Sequence, residues 1–172
     1  MGICDAYRSG IKGKSLPGNA GRRRQAAFTL TELLIVMALI GALAAIAIPN
    51  YREYSERANV AKAITDINSI AQALKVYEND NRTYPSSLAA LGITLPTDPW
   101  GSAYVYLAID IVPPPNTGQK RKDKNLNPLN SDFDLYSMGP DGQTQKQLTA
   151  AKARDDIVRA DNGRFIDVAS KH

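Results

Sequence analysis

An uncharged apolar run dominates the first third of the chain. From Leu33 to Ile48 no residue is charged, and Leu, Ile, Val, Met and Ala make up most of the segment. Counted from Phe28 the run is 21 residues long, enough for a bilayer, which takes about 20 helical residues. The apolar part of a secretory signal is about 7–15 residues, so the length predicts retention in a membrane. After Pro49 the pattern changes. Ala61, Ile64, Ile67, Ala71, Leu74 and Tyr77 recur at intervals of three and four, which predicts an amphipathic helix with one apolar stripe. Asp66, Asn68, Gln72 and Lys75 fall off that stripe. No Gly or Pro interrupts 50–82, so the helix is predicted to reach about Asn81. From Phe28 that is a rod of about 80 Å, apolar all round in its first half and on one side in its second. Pro49 stands at the join, where its missing N–H and its ring predict a kink.

Beyond residue 82 the pattern is β-like and broken by Pro85, Pro96 and Pro99. "SSLAAL" fits one short helical turn. "AYVYLAI", Ala103 to Ile109, is aromatic and β-branched and predicts a strand. Residues 110–131 form a Pro-, Asn- and Lys-rich loop with "PPP" at 113–115 and "KRKDK" at 120–124. "DFDLYSMG", 132–139, predicts a second strand and "GPDG" a turn. "QTQKQLTAAKARDDIV" reads as a loop or short helix, and "RFIDVA" as a third short strand or a tail. The fold class is therefore α+β, with a long N-terminal helix packed against a small antiparallel sheet. Three short strands alone are marginal, and the stripe from Ala61 to Tyr77 supplies the other layer of the core. Four segments follow: a basic leader 1–27, an apolar helix 28–49, an amphipathic helix 50–82 and a β-rich domain 83–172.

Charge and composition narrow the function. The whole chain carries +4, but residues 1–27 hold six basic residues and one acid, a net +5, which leaves −1 for the rest. The excess before the apolar run is the positive-inside pattern, with the N-terminus cytoplasmic. It disfavours nucleic acid as a partner of the folded part, and "KRKDK" reads as a solvated loop. The only cysteine, Cys4, lies in the leader, and the only histidine is His172. Disulfides, Cys/His zinc sites and His-dependent triads have no residues to build them, so an enzyme is disfavoured. Trp100 in "DPWG" is expected to cover the helix stripe.

One charge lies inside the apolar run. Glu32 is the fifth residue from Phe28, near one interface of a bilayer, where a charge costs less than at the centre. An interfacial carboxylate reaching headgroups or water is the simple reading. A cut before Phe28 gives it another role, because the new α-amino group is cationic and stands four positions away. Pairing of the two charges, on one helix or between neighbours, then sets the register of packed helices.

"RRRQAAFTLTELLIVMALIGALAAIAIPNY" resembles the N-terminal signal of type IV pilins and pseudopilins. That family has a basic leader, a small residue before Phe, Glu as fifth mature residue and Pro as twenty-second, here Pro49. The resemblance implies a pilin-like fold, cleavage between Ala27 and Phe28 by prepilin peptidase, and N-methylation of Phe28. Ala27 stands where the family has Gly, Thr31 replaces an apolar residue, and a leader of 27 residues is long for the family.

"YPSSLAAL", "LPTDPWGSAYVYL" and "DFDLYSMGPDGQ…DDI" resemble the major pseudopilin of the type II secretion system. The resemblance implies a homo-oligomeric helical fibre that helps drive protein export across the outer membrane. Its partners would be minor pseudopilins and an inner-membrane assembly platform with its ATPase. The chain would be a single-pass inner-membrane protein with a periplasmic C-terminal domain, later extracted into the fibre. Loop 110–131 and the span 142–155 are longer than this family implies. The family also implies a structural Ca²⁺, with Asp141, Asp155 and Asp156 as ligands here. The alternatives are a surface type IV pilin for adhesion, motility or DNA uptake, and a membrane-anchored periplasmic binding domain.

Overall fold

The computed structural model describes residues 28–110 and 117–172. Cys4, Ala27 and the "PPP" at 113–115 lie outside the described residues. The chain divides into two units, residues 1–43 and 44–172.

Helix α1 spans Leu30–Asn81, and its helical assignment runs through Pro49. It ends as predicted. Arg82 takes a left-handed conformation (φ 60°), and its N–H still reaches Glu78 O at 2.7 Å, a stop that Asn or Gly more commonly supplies. In the second unit the buried face of α1 is Ala63, Ile67, Ile70 and Leu74. This is the predicted stripe rotated slightly. Ile67 and Leu74 lie at its centre, Ile64, Ala71 and Tyr77 at its half-buried flank, and Ala61 is exposed. "SSLAAL" forms one 3₁₀ turn, Leu88–Leu91.

The sheet has four strands rather than three: β1 Val105–Ala108, β2 Phe133–Ser137, β3 Ile157–Ala160 and β4 Phe165–Val168. They lie in chain order and every pair is antiparallel. β3, at the end of "DDIV", is the strand the pattern concealed. Its four residues are all buried, because both faces of the sheet are covered, so no alternation marks it. The signal present was the hairpin turn after it. Asp161, Asn162 and Gly163 all take positive φ, the property that makes Asp/Asn-Gly a hairpin signal.

One face of the sheet packs on α1. Phe133, Leu135 and Ile157 join Ala63, Ile67, Ile70, Leu74, Tyr84, Leu88 and Tyr104, with Trp100 half-buried against them, as expected for Trp100. The other face carries Val158 and Ala160, covered by Leu129, Leu148 and Ala169. The long loops are therefore the third layer of the lobe. "KRKDK" is not a wholly solvated loop, since Arg121 is 2% exposed.

Two residues assigned to the solvent side of α1 anchor the lobe instead. Asp66 accepts a hydrogen bond from Tyr104 OH at 2.9 Å. Lys75 Nζ donates to Tyr84 OH and to Asp132 Oδ2. Asp132 also receives both guanidinium nitrogens of buried Arg159, at 2.8 and 2.7 Å, and Arg159 stacks 4.0 Å from the Phe133 ring centroid. Burial raises the Asp132 carboxyl, but the bonds from Arg159, the Phe133 N–H and Lys75 outweigh it and hold it below its ordinary 3.8.

Two outcomes are expected. Ile67→Ala removes a fully buried side chain and should cost about 2–5 kcal/mol, whereas Val76→Ala, at a site 62% exposed, should change stability by less than about 0.5 kcal/mol. Denaturant titration followed by Trp100 fluorescence measures both. Asp132→Asn leaves Arg159 without its counter-ion and should cost about 3–5 kcal/mol at neutral pH. A lowered carboxyl contributes stability above its unfolded value and loses it as pH falls through the folded one. The gap between wild type and Asp132→Asn should therefore be constant above pH 5 (roughly one unit above the ordinary carboxyl value) and close as pH falls below 3.8.

Candidate functional site

Two places carry the residues that the sequence singled out. The first is the start of α1. Thr29 precedes the first helical residue, Leu30, and Glu32 is the third residue of the helix. The Thr29 N–H donates to Glu32 Oε2 at 2.9 Å, the Thr29 hydroxyl donates to the same oxygen at 2.8 Å, and the Glu32 N–H lies 3.2 Å from Thr29 Oγ1. This is a capping box, in which two otherwise unpaired N–H groups at the helix start are satisfied reciprocally. The pattern T-x-x-E before an apolar run was readable in the sequence and went unused. A carboxylate there also faces the positive end of the helix dipole. Glu32 therefore has a partner within its own helix before any cut is made.

Among the described residues almost nothing covers the segment it caps. Among the described residues one helix is long and apolar enough to cross a membrane, and none of its most apolar window is buried by them. Leu33, Val36, Leu39 and Leu43 are 50–69% exposed. Gly41 has nothing within 4 Å of where a side chain would begin. An apolar surface of this kind is stable in lipid or against other apolar helices and unstable in water. Pro49 lies within α1, and without an N–H it leaves the carbonyl four residues earlier, that of Ala45, without its helical donor.

The second place is the turn at Gly139 and the approach to β3. Gly139 takes φ 65°, and a side chain there would meet the Asp155 carbonyl oxygen at 2.4 Å, so only glycine allows this approach. The structure does bring Asp141 and Asp155 together, since the Asp141 N–H donates to Asp155 Oδ2 at 3.3 Å. Asp141 turns its own Oδ1 to the Gln143 N–H at 2.7 Å. Asp156 points elsewhere, into the layer beneath the long loops, where Arg121 and Thr144 each reach its Oδ2 at 2.6 Å. Burial pushes the Asp156 carboxyl up to about 6, against the lowering bonds from Thr144 and Arg121.

A calcium ion needs six to eight oxygens around one point. Here N–H and guanidinium donors point at the three expected carboxylates, and Asp156 is turned from the other two. Among the described residues no group of three or more acidic or His/Cys side chains could hold a metal ion. As placed, the expected ligands do not fit the ion. Arg121 and Thr144 were missed because each lies in a stretch that reads as an ordinary polar loop.

Asp98 of "DPWG" is another unrecognised polar anchor. Its buried carboxylate accepts the Trp100 and Ser102 N–H groups at 3.1 and 2.7 Å and the Ser137 hydroxyl at 2.6 Å. It thus fixes the turn that carries Trp100 and joins it to the end of β2.

Comparison with known proteins bears on the helix and the turn that follows it. A family model described as the prokaryotic N-terminal methylation motif matches residues 22–48. A second, described as type II secretion system protein G, matches residues 50–94, the second half of α1 and the turn after it. Type II secretion system core protein G of Pseudomonas aeruginosa is 34% identical over 143 residues, covering 71% of this chain and 88% of the relative. The core protein G of Pectobacterium carotovorum is 32% identical over 151 residues, covering 76% and 85%. That of Vibrio cholerae is 32% identical over 150 residues, covering 75% and 90%. With an uncovered apolar helix, a methylation motif across it, and identity of this level over most of each relative, the chain belongs to the type II secretion system core protein G family.

Proposed function

We propose that this protein is the structural subunit of a type II secretion pseudopilus, a helical fibre that helps drive protein export across the outer membrane. The observation that carries the reading is the apolar half of α1, unburied among the described residues and overlapped by a methylation motif. Such a segment needs lipid first and identical neighbours afterwards. The basic residues before it hold the N-terminus in the cytoplasm, which places the C-terminal lobe in the periplasm. Prepilin peptidase cuts between Ala27 and Phe28 and methylates Phe28. An inner-membrane platform with its ATPase then extracts the subunit into the fibre, alongside minor pseudopilins. The role is read as structural rather than catalytic, in keeping with relatives that are core proteins of a secretion system.

The cut gives Glu32 a second partner. A cationic amine at the very start of a helix opposes the helix dipole, and a lone charge in an apolar fibre core is costly. Thr29 and Glu32 both remain after the cut, so the capping box persists. Glu32 then pairs with the Phe28 amine of its own or a neighbouring subunit and fixes the axial register.

Intact mass of the purified membrane form tests the processing: a chain beginning at methylated Phe28 is expected, and an uncut, unmethylated chain overturns it. Two substitutions separate the roles of Glu32. Glu32→Ala should leave membrane insertion intact and abolish incorporation into fibres. Thr29→Ala removes only the hydroxyl partner of the box, costs about 0.5–2 kcal/mol of helix stability, and should still give fibres. Equal loss of fibres in both variants would assign Glu32 to capping alone, and normal fibres in Glu32→Ala would remove it from assembly altogether.

A further inference from the structure

The two long loop segments of the lobe meet on one buried ion pair. Arg121, from the first, is 2% exposed, and Asp156, just before β3, is fully buried. Arg121 Nη2 donates to Asp156 Oδ2 at 2.6 Å. Thr144, from the second segment, donates its hydroxyl to the same oxygen at 2.6 Å and accepts a bond from Arg121 Nη1. The guanidinium lies 4.2 Å from the centroid of the Tyr136 ring, and the Arg121 N–H donates to buried Asp134 at 2.7 Å. The segments are also tied by backbone: Lys122 N–H to Lys146 O at 2.8 Å and Leu148 N–H to Lys122 O at 3.0 Å. Loop, loop and sheet thus converge on a single cation.

We propose that Arg121 is the resident counter-cation of this acidic corner and makes folding of the lobe independent of a divalent ion. Asp141 meets Asp155 at one end of the sheet, Asp156 follows it into the buried layer, and the Asp155 charge disfavours a charge on Asp156. A buried carboxylate in such company needs a positive partner, and either a calcium ion or a guanidinium can serve. A guanidinium held at hydrogen-bond distance on Asp156 repels a second cation from that oxygen, and backbone N–H groups engage one oxygen each of Asp141 and Asp155. Arg121 Nε and Asp156 Oδ1 are buried without a hydrogen-bond partner among the described residues. The pair is thus single-bonded, and Thr144 completes it. A guanidinium is always charged and presents several donors in a rigid plane, so it can bond a carboxylate, a hydroxyl and an aromatic face at once. The proposal rests on the geometry of the lobe and stands apart from the assembly reading.

Thermal melting of the full-length chain in detergent micelles, followed by Trp100 fluorescence, tests it in millimolar calcium chloride and in excess EGTA. Wild type should melt at the same temperature in both. Arg121→Met should melt about 10 °C lower, as expected for one partner removed from a buried pair. Arg121→Met with Asp156→Leu, which removes both charges, should recover at least half of that loss. A chelator-induced drop of several degrees in wild type overturns the proposal. So does an Arg121→Met chain that melts with wild type, or a double variant no more stable than the single. If Arg121→Met does not fold, wild type with and without chelator and the double variant still decide.

Discussion

Strands of four or five residues bury too little surface to stand alone, and here they depend on one face of α1. Ala63, Ile67, Ile70 and Leu74 form that face, and Ala108, Phe133, Leu135 and Ile157 are the buried sheet residues clustered with it. Fully burying a side chain such as Leu or Phe is worth about 1.5–3 kcal/mol, so this contact supplies much of what holds the lobe against chain entropy. The order of the remaining parts follows from it. The helix occupies one face of the sheet, and the long loops must cover the other.

Each covered face holds one buried arginine. Arg159 meets Asp132 beside the helix, and Arg121 meets Asp156 beneath the loops. Buried ion pairs add little net stability, but their partners are costly to leave unmatched. Their value here lies in fixing position. The ladder between β2 and β3 has only two residue pairs. Arg159 in β3 binds Asp132 at the start of β2, and Asn130 donates to the Arg159 carbonyl at 2.9 Å. A slipped register would separate these groups and strand charges in the core.

The first unit obeys a different constraint. Among the described residues its apolar side chains from Phe28 to Leu43 are all exposed, so they are satisfied only by what the chain is placed in or beside. The capping box of Thr29 and Glu32 fits that setting. In an apolar medium unpaired N–H groups at a helix start cost more than in water, and Thr29 and Glu32 remove two of them locally.

Local repetition and local chemistry were legible in the sequence. The apolar run, the stripe after Pro49, the helix end at Asn81 and strands β1 and β2 all follow from period and from Pro and Gly placement. So did the family, because charge, spacing and proline lie within one contiguous stretch from Arg22 to Pro49. Tertiary structure alone decided which polar residues go inside. Asp132 and Arg159 are 27 positions apart, and Arg121 and Asp156 are 35 apart. Each of these residues, taken by itself, is an ordinary surface charge. Burial becomes favourable only when the distant partner is in place, and no period or motif in one segment records where that partner will be. For the same reason β3 was hidden: covering both its faces erased the alternation that reveals a strand, and that covering comes from α1 on one side and from loop residues on the other.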